Sequence, residues 1–280
     1  MVSKANSYII ENIKVITSKI NSAVALSQKT KHCNLVAVSK TKPLEDILTV
    51  YDGGHRLFGE NYVEEFLEKL ENLKVLSTPQ SESNSSPSQL EGQDETTTTQ
   101  IDTQTTTIIT ADYDDIQWHF IGHLQSNKAK KLVDGTAHIP NFIIETIDSE
   151  KLATKINKEC EKIQRKEKIG VLVQVLTSDE GTKHGAEQDK VGELVEFIYK
   201  KCPFLRFRGL MTMGRLHDVE GFKAMQGLRE QLVHHYEIDP QSFILSMGTS
   251  MDFEEAIYEG ANEARVGSDI FGARDYSKKQ

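Results

Sequence analysis

The chain has 280 residues, of which 38% are hydrophobic, enough for one large domain or two small ones with a sizeable core. No apolar run approaches the roughly 18 to 20 residues of a membrane span, and a net charge of −9 lacks the basic excess of a nucleic-acid-binding domain. Membrane proteins and nucleic-acid binders are thereby set aside, and a soluble globular protein is expected. Three cysteines, Cys33, Cys160 and Cys202, stand far apart with no partner at metal-ligand spacing and read as reduced thiols. The amino terminus has no apolar signal core, and Lys4, Glu11, Lys14 and Lys19 mix both signs without arginine. A cytoplasmic protein is expected, with a mitochondrial pool left open.

Ser7 to Leu26 carries apolar residues at helical spacing, with Ser7 as the expected N-cap. Leu35-Val36-Ala37-Val38-Ser39-Lys40 reads as a buried strand that ends in a lysine and is halted by Pro43. A helix over Leu44 to Tyr51, closed by Gly53-Gly54, leads to a short strand at Leu57 to Asn61 and a helix from Tyr62 to Leu73. Residues 77–115 interrupt the pattern with Ser, Thr, Gln, Asp and Glu, a composition that buries too little apolar area to offset its ordering entropy. This stretch is expected to be a disordered insertion in a surface loop. It holds eight acidic and no basic residues, so the other 241 residues, with 33 basic and 34 acidic side chains, carry only −1.

After the insertion the alternation resumes. Strands are expected at Trp118 to Gly122, Phe142 to Ile147, Ile169 to Leu176, Phe207 to Met213, Phe243 to Met247 and Glu263 to Gly267. Helices are expected between them at Asn127 to Val133, Ser149 to Arg165, Glu187 to Lys201, Val219 to Tyr236 and Phe253 to Tyr258. Eight βα units after one extra helix, over about 240 residues outside the insertion, predict a (β/α)8 TIM barrel forming a single domain over 1–280. An open doubly wound sheet is the rival, but no Gly-x-Gly-x-x-Gly turn follows the first strand.

In such a barrel the carboxyl ends of the strands form the floor of the active site, so Lys40 stands where a desolvated amine becomes a nucleophile. A phosphate site commonly forms from the loops after strands seven and eight. Here those loops are Ser246-Met247-Gly248-Thr249-Ser250-Met251-Asp252 and Arg265-Val266-Gly267-Ser268. A ligand with an aldehyde at one end and a phosphate at the other, such as pyridoxal 5'-phosphate, would be held at both. An arginine beside its ring nitrogen would disfavour protonation there and weaken the ring as an electron sink.

The motifs LVAVSKTKP (35–43), FGENY (58–62), WHFIGHLQSNK (118–128), TKHG (182–185), GLMTMG (209–214), LSMGTSMD (245–252) and RVGSDIFG (265–272) together resemble the single-domain pyridoxal-phosphate homeostasis proteins. That family's fold is like the amino-terminal barrel of alanine racemase. The resemblance implies that Lys40 is the Schiff-base lysine and that Ser246, Gly248, Thr249, Gly267 and Ser268 form the phosphate cradle. It implies further that Arg265 partners the pyridine nitrogen and that Asn61 lines the cofactor. The chain departs from the pattern in the insertion and in Ser268, where many relatives have threonine. His119, His123 and Gln125 receive no proton-transfer role, and no metal is expected.

Racemisation with this cofactor needs two bases on opposite faces of the ring, and the tail that remains beyond the last expected strand and its loop, Phe271 to Gln280, cannot supply a domain. The resemblance therefore implies a non-catalytic carrier in vitamin B6 homeostasis, which buffers pyridoxal phosphate or delivers it to pyridoxal-phosphate-dependent apoenzymes. A low-activity racemase-like enzyme, an aldolase using Lys40, and an interaction protein tethered by its acidic insertion remain the alternatives. No nucleic acid, no membrane and a monomeric state are expected.

Overall fold

The computed structural model describes residues 4–77, 113–178 and 184–273. Most of the low-complexity insertion, 78–112, lies outside the described residues, as do Thr182 and Lys183 of the TKHG motif. Eight parallel strands close into a barrel in sequence order: β1 (Asn34–Val38), β2 (Leu57–Glu60), β3 (Gln117–Phe120), β4 (Ile143–Ile147), β5 (Ile169–Val175), β6 (Leu205–Thr212), β7 (Ile244–Thr249) and β8 (Glu263–Val266). The closing pair is β1 with β8, in the register Leu35 to Ala264 and Val36 to Arg265.

Helix α1 (Lys4–Leu26) precedes β1, and its buried Ile9, Ile13, Ile16, Ile20 and Ala23 form one face. That face packs on α2 (Leu44–Asp52), α8 (Phe253–Tyr258) and α9 (Ser268–Phe271). The outer layer is completed by α3 (Val63–Ser77), α4 (Ala129–Gly135), α5 (Glu150–Lys162), α6 (Val191–Lys201) and α7 (Val219–Tyr236). Ser149 caps α5 by accepting from the Leu152 N–H at 3.4 Å, and Asp218 caps α7 by accepting from Gly221 at 3.0 Å.

Alternate strand residues face the helices and form the main core. Phe58, Trp118 and Phe142 meet Phe66 of α3 in an aromatic cluster with ring centroids 5.2 to 5.9 Å apart. Each such ring, fully buried, is worth roughly 1.5–3 kcal/mol. The other side chains fill the barrel, where space is short: a Cβ on Gly59 would come within 2.8 Å of Val36 and 3.1 Å of Ile121. Ile143, Leu172 and Met211 form a small apolar layer inside.

Several expected boundaries move. α1 is already helical at Lys4, so Ser7 lies inside the helix and is not its cap. β1 ends at Val38, two residues before Lys40, because the chain turns through Thr41 at φ +61°. α5 stops at Lys162 and a turn through Gln164, φ +47°, carries Arg165 inward to donate to the carbonyls of Val133 (3.4 Å) and Ile139 (3.3 Å). The expected helix over 187–201 divides into a 3-10 turn, Gln188–Lys190, and α6. The insertion is narrower than 77–115 at both ends. Ser77 closes α3, and Asp115 is bonded to the Tyr51 hydroxyl (2.6 Å) and Arg56 Nε (2.5 Å).

Candidate functional site

Lys40 is half-buried at the carboxyl-terminal mouth, and its neighbours on both sides are held to α3. The Lys69 ammonium, itself buried, donates to the Ser39 carbonyl (2.9 Å), Glu60 Oε1 (2.7 Å) and Glu65 Oε1 (2.7 Å). The Ser39 hydroxyl donates to Glu60 at 2.7 Å, and the Thr41 N–H donates to Glu65 at 2.5 Å. Burial pushes the Glu60 carboxyl above the usual range, and the charge of Lys69 beside it works in the opposite direction. Lys42 donates to the carbonyls of Phe271 (2.9 Å), Gly272 (3.2 Å) and Ala273 (2.9 Å), which ties the loop after β1 to the segment after α9.

A cavity of about 250 Å³ opens at this mouth, lined by Lys40, Lys42, Asn61, Thr249, Ser250, Arg265, Gly267 and Ser268 with Val38, Ile121, Met213 and Met251 as apolar walls. Lys40, Lys42 and Arg265 contribute positive charge, and no Asp or Glu is among the described residues that line it, which favours an anionic ligand. The backbone comes close here. A Cβ on Gly267 would lie 3.2 Å from the Val38 carbonyl, and Gly248 sits at φ +89° with no room for a Cβ beside Phe253. The Gly267 N–H (3.4 Å) and the Ser268 hydroxyl (3.2 Å) both reach Ser250 Oγ. These long bonds leave donors that a phosphate could take over. Thr249 gives both its N–H (2.7 Å) and its hydroxyl (2.9 Å) to Asp252.

A second hollow, about 370 Å³, adjoins the first, sharing Asn61, Ile121, Met213, Thr249 and Arg265 as wall, and also takes in Gly248, Asp252, His123, Gln174 and His184. Asn61 Oδ1 is buried at this junction with no hydrogen-bond partner among the described residues, an acceptor suited to a ligand. Gly122 makes the junction possible, because a Cβ there would lie 2.0 Å from the Asn61 carbonyl.

Seven of the eight residues expected at the site therefore line this joined cavity. Ser246 does not. Its hydroxyl is fully buried beneath the floor, donating to Glu145 Oε2 (2.7 Å) and accepting from Arg265 Nη1 (2.7 Å). The expectation that Ser246 belongs to the cradle is corrected: alternation along β7 turns its side chain into the barrel, where it positions Arg265. Thr212 O (2.7 Å) holds the other guanidinium nitrogen. Glu145 also accepts from His119 Nδ1 at 2.7 Å, and Glu263 stands 3.6 Å from the same nitrogen. Burial alone would push the His119 ring down, but Glu263 and Glu145 outweigh it and raise the ring to about 10. Burial likewise works to raise Glu145, and the hydrogen bond and charge of His119, with Arg265, bring it below the usual carboxylate range. Glu263 goes the other way, raised by burial. Ser250 enters the sequence reading only as part of the loop after strand seven, and Gly122, Glu145, Glu60 and Lys69 have no role there. Only Ser250 and Gly122 carried a signal, a hydroxyl and a glycine at strand ends.

No family model matches the chain. It is 39% identical over 277 residues to the pyridoxal phosphate homeostasis protein of Bos taurus, covering 95% of this chain and 88% of that one. It is 33% identical over 274 residues to the protein of the same name from Pasteurella multocida, covering 96% and 98%. Among solved structures, PipY of Synechococcus elongatus matches with a TM-score of 0.66 at 25% identity, covering 94% of this chain and all of that one, and has also been solved with pyridoxal phosphate bound. Alanine racemase of Clostridium difficile shares the fold, with a TM-score of 0.61 at 13% identity over 96% of this chain and 61% of that one.

Proposed function

Because the chain belongs to the pyridoxal phosphate homeostasis protein family, we propose that its joined cavity binds pyridoxal 5'-phosphate and that the protein serves vitamin B6 homeostasis by holding and releasing that cofactor. One observation carries the assignment to this site: Lys40, Arg265, Gly267 and Ser268 line the first cavity, and the charged residues among its described lining are all cationic. The residues fit the group. Gly267 and Ser268 with Ser250 would hold the phosphate through one backbone N–H and two hydroxyls, Lys40 would take the aldehyde end, and Arg265 would face the ring nitrogen. When bound, the cofactor supplies an aldehyde that condenses with a primary amine and a ring that withdraws electrons.

A carrier without turnover is the reading that Arg265 supports. Its guanidinium is buried, fixed by Ser246 and Thr212, and 3.9 Å from the Glu145 carboxylate. A fixed cation opposite the ring nitrogen disfavours a proton there and blunts the electron withdrawal that substrate chemistry would need. Release to pyridoxal-phosphate-dependent apoenzymes, from a monomer, completes the proposal.

Borohydride reduction of the cofactor-loaded protein followed by peptide mass spectrometry should find one pyridoxyl group, on Lys40, and Lys40→Ala should carry none. Labelling of Lys42 instead would overturn the assignment of the amine. Amino-acid racemisation by the loaded protein at about 1 per second or faster would overturn the carrier reading.

A further inference from the structure

The mouth of the barrel holds a second group of chemically able side chains that the cofactor site does not use. Three consecutive strands each deliver one of them. His123 follows β3, Asp148 follows β4 at once, and His184 follows β5. The chain beyond β5 returns alongside that strand, with Ala186 N donating to the Gln174 carbonyl (2.8 Å) and Leu176 N to the Ala186 carbonyl (2.9 Å). Gln174 Nε2 then donates to the His184 carbonyl at 2.7 Å, which fixes the backbone of His184 over the hollow.

The result is a tight cluster. The imidazoles of His123 and His184 lie face to face, centroids 3.5 Å apart and planes within 10°, and His123 Nδ1 is 3.7 Å from Asp148 Oδ2. One nitrogen or oxygen from each of the three residues lies within 4.8 Å of the others. Stacking alone would stabilise the pair, but it accounts neither for the carboxylate beside the rings nor for Gln174. That side chain is 5% exposed, it lines the same hollow, and its Oε1 has no hydrogen-bond partner among the described residues.

We propose that His123, Asp148 and His184 bind one divalent transition-metal ion of the zinc type at the rim of the hollow, with a fourth coordination position open toward Gln174. Two imidazoles and one carboxylate are a donor set that zinc takes in tetrahedral sites with an exchangeable fourth ligand. A water in that position would have Gln174 Oε1 as its acceptor, so the buried orphan atom acts from the outer shell. Zinc ligands stand about 3.3 Å apart, so the three groups must close in by about 1 Å or more. Because the rings are parallel, one must also turn about its Cβ–Cγ bond for both lone pairs to meet. Both histidines are exposed on loops, which leaves that rotation unobstructed by the core.

The test is Zn2+ titration by calorimetry, with Co2+ absorption as the geometric probe, on the full-length protein as purified with its cofactor. Wild type should bind one ion per chain and give the intense Co2+ bands of a tetrahedral site. His123→Ala and His184→Ala should each weaken binding by about 100-fold and Asp148→Asn by about 10-fold. The surface pair His234 and His235 on α7 is the control, and His234→Ala/His235→Ala should bind as wild type does. Equal binding by wild type and His123→Ala, weak octahedral Co2+ bands, or loss of binding only in the α7 variant would each overturn the proposal.

Discussion

At the scale of single residues, the floor beneath the cavity is a set of ionisable groups far from water. His119, Glu145, Glu263 and Arg265 are all less than 5% exposed and touch one another or Ser246. Buried ions persist only where each is paired and hydrogen-bonded. Here the 2.7 Å contact pairs His119 with Glu145, and with Glu263 beside them the imidazole is raised and the Glu145 carboxyl lowered. The pH consequence follows from the sign of the shift. His119 has a folded value of about 10 against an ordinary 6.5, so its contribution is complete below 6.5 and is lost as pH rises through about 10. Its 15N resonances should show both ring nitrogens protonated midway between those values. The stability advantage of wild type over His119→Asn, on the order of a few kcal/mol at the acid end, should fade toward the alkaline end. A ring that titrates near its ordinary value would contradict the pairing.

At the scale of elements, the reactive position depends on the helix of the next βα unit. α3 has two tasks: Phe66 packs it on the barrel, and Lys69 with Glu65 pins the chain on both sides of Lys40. Lys69→Met removes the ammonium and leaves the Glu60 carboxyl buried without its partner. We expect a loss of about 3–5 kcal/mol in urea denaturation, partly restored in Lys69→Met/Glu60→Gln, because a buried pair is costly chiefly when broken on one side. Cofactor affinity should fall with it as the Lys40 loop loosens. A single variant within about 1 kcal/mol of wild type would show that the pair is not holding the loop.

For the whole molecule, the barrel separates its two faces. The site occupies the carboxyl ends of the strands, as in other (β/α)8 barrels, whereas 78–112 joins the end of α3 to the start of β3 and therefore leaves from the opposite face. Ser77 and Tyr113, on either side of it, share one surface hollow, so a short linker can replace it. Deleting 78–112 should leave cofactor affinity and Tm nearly unchanged, since loop closure entropy grows only with the logarithm of length. A large fall in either would show that the segment contributes to the folded barrel.

The order and type of the elements were legible in the sequence because they rest on local physics. Periodicity marked α7 and α8 to the residue, and glycines, Pro43 and Ser149 marked turns and a cap. The site's upper layer was legible for the same reason, since Lys40, Gly248, Thr249, Arg265, Gly267 and Ser268 all stand at or just past strand ends. What lies beneath and beside it was not. Glu145 sits inside an apolar strand and Lys69 on a charged helix, and neither local pattern shows that a barrel will bury them against His119, Arg265 and Glu60. Ser246 looked like a cradle residue until strand pairing set which face of β7 turns inward. His123, Asp148 and His184 are scattered over sixty residues of sequence and meet only because β3, β4 and β5 are neighbours in a closed sheet. Local sequence chooses each element and its ends. Barrel closure alone decides which side chains from distant strands share one interior, because that depends on register and facing rather than on any residue's immediate neighbours.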